Sequence, residues 1–194
     1  MMALDASQNL EDAELLARFA KGDRTAAQVL TARLAPLVFA QAFRMLGDRA
    51  EAEDVTQDSL LRLWHAAPDW QPGQAKVTTW LYRVTSNLCI DRMRKSKRHS
   101  GEEVPDMPDE RPDMERRLQD RARAQALRAA LGDLPDRQKL AMVLRHLEGL
   151  SNPDVAQIMQ ISVEAVESLM SRGKRSLAHA LAPQKKALGL KDDG

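Results

Sequence analysis

The chain has 194 residues, of which 43% are hydrophobic and 29% charged, with a formal net charge of +1. That composition is ordinary for a globular protein and excludes disorder throughout; the charge balance excludes a uniformly basic nucleic-acid coat but leaves local patches open. The single cysteine, Cys89, excludes an internal disulfide framework and a thiolate-rich zinc site. No apolar run approaches the roughly 18 residues of a membrane span. The stretch from Met1 to Glu14 carries acids and no base, unlike a signal peptide. The expectation is an intracellular, cytoplasmic protein.

Apolar residues recur at helical spacing and no segment alternates with period two, so the expected fold class is all-α. The predicted helices are Asp12–Ala20, Thr25–Met45, Ala50–His65, Val77–Lys97, Arg116–Leu131, Pro135–Leu147, Asn152–Met159 and Val163–Ala182. Gly22-Asp23 and Gly47-Asp48 punctuate the first three. All seven aromatics lie at or before Tyr82, so any core after that point is aliphatic. From His99 to Asp113 come three prolines and six acids with almost nothing to bury. Proline removes backbone donors and turns its predecessor away from helix, so this stretch reads as an extended acidic linker. The division expected is a helical domain over 1–98, a linker over 99–115 and a second helical domain over 116–194, each separately packed.

Within Ala50–His65, AEAEDVTQDSLLRLWH, the spacing turns Ala52, Val55, Ser59, Leu63 and Trp64 inward. Asp54, Gln57, Asp58, Leu61 and His65 fall on one outer stripe. An exposed leucine among acids and an amide suits a protein-docking surface, although a solvated helix face has the same pattern.

Ala66–Lys76 holds two prolines and a glycine and reads as an ordered loop, with Trp70 a hydrophobic plug. A loop of this kind can hold an unstacked base, which needs a pocket rather than a groove. In the helix that follows, Val77, Trp80, Leu81, Val84 and Leu88 form a core stripe. Arg83, Asn87, Ile90, Arg94 and Lys97 form another, off the core. Five of the seven residues from Arg92 to Arg98 are basic. The helix dipole favours cations at a C-terminus but does not require this density, nor an asparagine among them. Phosphate contact by the bases, with Asn87 reading or trapping a base, accounts for both.

Ser151–Leu177, SNPDVAQIMQISVEAVESLMSRGKRSL, has the requirements of a helix-turn-helix. Ser151 and Asp154 form a capping box, and Pro153 sits in the first turn, where its missing N–H costs nothing. Val155, Ala156 and Met159 face inward. Ser162 caps a second helix whose stripe of Val166, Leu169, Met170, Gly173 and Leu177 fills the angle between the two. The opposite stripe carries Glu164, Glu167, Ser168, Ser171, Arg172 and Arg175. Such a face offers donors and acceptors to base edges, flanked by cations for phosphate. A plain helical hairpin with a solvated face is the alternative, and Gln160 stands where a turn glycine is common.

In this order and spacing the three stretches resemble the extracytoplasmic-function sigma factors of bacterial RNA polymerase, over nearly the whole chain. EAEDVTQDSLLRLW is similar to the family's polymerase-binding helix. KVTTWLYRVTSNLCIDRMRK is similar to its promoter-melting and minus-ten helix, with the block TWLYRV, Asn87 and Asp91-Arg92 as the specific part. The stretch from Leu134 to Leu177 resembles its minus-thirty-five-binding domain. The resemblance implies core polymerase as partner through Asp54, Gln57, Asp58 and Leu61. It implies that the Asp69–Val77 loop and Asn87 capture a flipped base of the melted minus-ten strand, with Arg83, Arg92, Arg94, Lys95 and Arg98 on the backbone. Glu167, Ser168, Ser171 and Arg172 would read the double-stranded minus-thirty-five groove, with Lys174 and Arg175 near phosphates. Many family members have a basic residue where Glu167 stands, so base identities cannot be borrowed. An anti-sigma factor is a further implied partner.

Two other classes fit parts of the pattern: a stand-alone dimeric regulator, and a helical adaptor that does not touch DNA. An enzyme is not expected, because no phosphate loop, glycine fingerprint or nucleophile elbow is present. The four histidines, His65, His99, His146 and His179, are scattered, so neither a metal site nor a cofactor is expected.

Overall fold

The computed structural model describes residues 11–71, 73, 75–99 and 114–184, the side chains of 97–99, 114–121 and 184 apart. The described residues form helices and no strand. They are α1 (Asp12–Ala20), α2 (Arg24–Leu46), α3 (Arg49–Ala66), α4 (Val77–His99), α5 (Met114–Gly132), α6 (Asp136–Met142), α7 (Asn152–Met159) and α8 (Val163–Leu181). A π-turn over Val143–Leu147 extends α6, and short 3-10 turns follow α3 and α8.

Local chemistry sets the helix ends. The Asp23 carboxylate accepts from the Thr25 and Ala26 amides, and Asp48 accepts from Glu51, so each aspartate satisfies N–H groups that the first turn leaves unpaired. Gly47 closes α2 with φ +76°, a left-handed conformation that costs glycine nothing. Helix α2 is long and apolar enough to cross a membrane by length and composition alone, with a mean hydropathy of 1.3, contrary to the expectation of no such run. Here it packs among α1, α3 and α4.

The interior has two apolar regions with a polar layer between them. The first unites Leu15 and Leu16 of α1, Leu30 and Leu34 of α2, Leu63 of α3 and Leu81 of α4, with Trp64, Trp70 and Trp80 at its margin. The second unites Ala42, Met45, Val55, Tyr82 and Cys89 of the first half with Leu140, Leu144, Val155, Ile158 and Val166 of the second. Between them lie the buried Gln41, Ser59, Thr85 and Ser86. The Gln41 amide donates to the Tyr82 carbonyl and the Ser86 hydroxyl, and Thr85 Oγ donates to Ser59 Oγ, so most of this layer is paired.

The two helical halves also pack on each other. α4 packs on α7 and α6, and the two halves share one continuous apolar region. Arg44 of α2 pairs with Glu148 beyond the π-turn, the Tyr82 hydroxyl donates to the same carboxylate at 3.3 Å, and the Arg128 guanidinium lies 5.9 Å from the Phe43 ring centre. Residues 100–113, most of the expected linker, lie outside the described residues.

Candidate nucleic-acid interface

On α3 the inward set is as read: Ala52, Val55, Ser59 and Leu63 are buried and Trp64 half-buried. The outward set is Asp54, Gln57, half-buried Asp58, and Leu61 at 53% exposure. Leu61 thus stands exposed among acids, in the pattern read from the sequence.

Arg92, one of the expected phosphate-binding cations, is paired with carboxylates of α3. Its Nη1 lies 2.5 Å from Glu51 Oε2 and 3.5 Å from Asp54 Oδ2, and its Nη2 lies 3.5 Å from Asp58 Oδ2. Burial works against its charge, but hydrogen bonds and charge from Glu51 and then Asp54 outweigh it and hold the guanidinium above its ordinary pKa. The sequence reading missed Glu51. The signal was present, because Glu51, Asp54 and Asp58 lie at i, i+3 and i+7 and share one stripe.

The rest of α4 divides more finely than into two stripes. Val77 and Leu81 are buried, while Trp80, Val84 and Leu88 are only half-buried. Tyr82, Thr85, Ser86 and Cys89 are buried as well, Tyr82 and Cys89 in the apolar region shared with the second half and Thr85 and Ser86 beside Ser59 and Gln41. Ile90, read as off the core, packs against the shared apolar region. Asn87, Arg94 and Lys95 are exposed and Arg83 is half-buried. The side chains of Lys97 and Arg98 lie outside the described residues, as do Pro72 and Gln74 of the preceding loop. Trp70 does plug that loop onto the core: its ring meets Trp80 edge-on at 5.8 Å, with its buried Nε1 lacking a protein partner. Burial pushes the Cys89 thiol up to about 12 despite nearby Arg92 and Lys139, which makes it an inert core group.

The helix-turn-helix is built as its residues dictate. Ser151 Oγ accepts from the Asp154 amide at 3.3 Å, and Ser162 Oγ accepts from the Ala165 amide at 3.2 Å. Gln160 takes the left-handed turn position at φ +53°, where a non-glycine side chain is strained. Val155 and Ala156 are buried; Ile158 takes the place read for Met159, which is half-buried. Val166, Leu169, Met170 and Gly173 are buried on α8. A Cβ on Gly173 would lie 2.9 Å from Met142 Cγ, so the glycine admits a close helix crossing. On the far side Glu164, Glu167, Ser168, Ser171, Arg172, Lys174 and Arg175 are all exposed. A hydrogen bond from the Ser162 hydroxyl holds the Glu164 carboxyl below its ordinary pKa. His146 is pulled down by burial and by the charges of Lys174 and Arg145.

Arg94 of α4 and Ser168 and Arg172 of α8 line one open cleft of about 620 Å³, together with residues of α6. One cation of the α4 row thus lies across a cleft from two residues of the exposed α8 face.

Known proteins share this pattern. Residues 30–99 match the family model Sigma-70 region 2, and residues 124–177 match Sigma-70, region 4. The chain is 32% identical over 170 residues to the ECF RNA polymerase sigma factor SigM of Mycobacterium tuberculosis, covering 88% of this chain and 84% of that one. It is 33% identical over 149 residues to SigE of Mycolicibacterium smegmatis, covering 75% of this chain and 57% of that protein's length. Among solved structures, CnrH in complex with the cytosolic domain of CnrY superposes with a TM-score of 0.66 at 28% identity, covering 89% of this chain and 97% of that one. RpoE of Bartonella quintana, solved with the anti-sigma factor NepR, shares the fold at a TM-score of 0.62 and 24% identity, covering 78% of this chain and 94% of that one. A relative above 30% identity, matched over most of both lengths, and family models on both halves make the same assignment: the chain belongs to the extracytoplasmic-function sigma factors of bacterial RNA polymerase.

Proposed function

We propose that this chain is an alternative sigma factor that docks on core RNA polymerase in the cytoplasm and directs initiation at particular promoters, under the control of an anti-sigma factor. It is an initiation factor and catalyses no reaction of its own. The observation that carries the reading is α8, a capped second helix of a helix-turn-helix with a wholly exposed face from Glu164 to Arg175 and a buried apolar stripe behind it.

In this reading residues 1–98 bind polymerase and the minus-ten element, 99–115 link, and 116–194 bind the minus-thirty-five element; the region 4 match falls within the last range and the region 2 match ends one residue past the first. Asp54, Gln57, Asp58 and Leu61 meet the polymerase. Asn87 and the loop before α4 hold an unstacked minus-ten base, and Arg83, Arg94, Lys95 and Arg98 hold the backbone. Glu167, Ser168, Ser171 and Arg172 read the minus-thirty-five major groove, while Lys174 and Arg175 contact phosphate. Each half makes few DNA contacts, so affinity comes from joining them on the polymerase, where the second contact is effectively intramolecular. CnrH with CnrY and RpoE with NepR support control by a protein partner.

Run-off transcription with purified core polymerase and a promoter library tests the reading. Initiation that depends on this chain is the expected result. Tight, palindrome-specific DNA binding without polymerase, and no initiation with it, would assign the chain to stand-alone regulators instead.

A further inference from the structure

Arg92 arises from the DNA-facing helix α4, yet its charge is spent on the polymerase-facing helix α3. Its side chain is 26% exposed, whereas those of Glu51, Asp54 and Asp58 are 52%, 65% and 49% exposed. The cation thus sits inside the cluster and the carboxylates sit outside. A DNA phosphate approaching Arg92 meets three negative groups around one positive one. That geometry repels an anion and attracts a cationic surface.

Three carboxylates on one helical stripe also repel one another. A guanidinium is suited to relieve this. It presents five donors in a planar fork and can reach several acceptors at once, which an ammonium does less well. The two 3.5 Å contacts leave most acceptor positions on Asp54 and Asp58 open to a partner.

We infer that Arg92 is a positioning residue for polymerase docking, gathering Glu51, Asp54 and Asp58 into a single preorganised acidic surface, and is not a promoter phosphate contact. The inference rests on the sigma-factor reading above. It adds Glu51 to the docking surface and removes Arg92 from the DNA row.

The test measures affinity for core polymerase and, separately, the salt dependence of promoter binding by the assembled holoenzyme. Arg92→Ala should weaken core binding by about tenfold, and Arg92→Lys should recover only part of that loss. The salt slope of promoter binding should stay unchanged in both. In a Glu51→Gln, Asp54→Asn, Asp58→Asn background, Arg92→Ala should cost little more, because no carboxylate is left for the guanidinium to gather. Should Arg92→Ala reduce stability too far, Arg92→Gln and Arg92→Lys carry the same comparison. Strictly additive losses in that background would reduce Arg92 to a general structural role and overturn the inference. A salt slope shallower by about one with core affinity intact would make Arg92 a phosphate contact and overturn it while leaving the sigma-factor reading standing. Failure of the unaltered chain to bind core polymerase would overturn both.

Discussion

Cys89 and Tyr82 lie on the same buried face of α4, two helical turns apart, and both titrate far from their ordinary values. Burial pushes the thiol up to about 12, and burial with the neighbouring Glu148 charge pushes the phenol up to about 12. A raised pKa means that the folded chain holds these protons more tightly than the unfolded chain does. Their contribution to stability is therefore complete below the unfolded values of 9.0 and 10.0, and is lost as pH rises from there towards about 12. Unfolding free energy measured by denaturant should fall on the alkaline side of pH 9.0, and fall less steeply in Cys89→Ala. Parallel pH profiles for the two proteins would show that the thiol is not protected by the shared core. The folded protein should also resist thiol reagents until it is denatured.

At the scale of the helices, most of the architecture was legible. The turn glycines, the serine and aspartate caps and the 3.6-residue spacing place all eight helices within a few residues of their observed ends. The helix-turn-helix was legible down to its exposed face, because caps, a left-handed turn and a buried stripe are local features. The second buried face of α4 was not. Periodicity reveals an apolar stripe, but Tyr82, Thr85, Ser86 and Cys89 are mostly polar or small: Thr85 and Ser86 are buried with Ser59 and Gln41, and Tyr82 and Cys89 in the apolar region shared with the second half. The Arg92 cluster was hidden for a related reason: a run of cations suggests phosphate, and nothing in the run itself says that one of them turns back onto α3. Local legibility supports a sharp expectation at α8. Ser162→Ala removes the acceptor of the Ala165 amide and should cost about 1 kcal/mol, read as a lower thermal midpoint, with Ser162→Asp restoring most of it. An unchanged midpoint in Ser162→Ala would mean that water caps the helix equally well.

For the molecule as a whole, the arrangement of the two halves sets a condition on function. Arg94, Ser168 and Arg172 share the walls of one cleft. Promoter elements roughly 25 base pairs apart lie about 85 Å apart along B-form DNA at 3.4 Å per base pair. If the proposed function holds, one duplex cannot meet Arg94 and Arg172 across this cleft, and the halves part before the promoter is gripped at two points. What holds them together is partly apolar and partly the group around Glu148, whose side chain is only 5% exposed and is served by Arg44 and the Tyr82 hydroxyl. A carboxylate this enclosed is costly to leave without its cation, typically by 1–3 kcal/mol or more. Arg44→Ala should therefore loosen the docked arrangement most, Glu148→Gln less because it removes the charge with its need for a partner, and Tyr82→Phe least. Small-angle scattering of the free chain should show the radius of gyration largest for Arg44→Ala and decreasing in that order, and each step of about 1.4 kcal/mol corresponds to a tenfold larger open population. Identical scattering from Arg44→Ala and the unaltered chain would show that the shared apolar region alone holds the halves together, and that opening is governed by whatever competes for Tyr82, Cys89 and Val155.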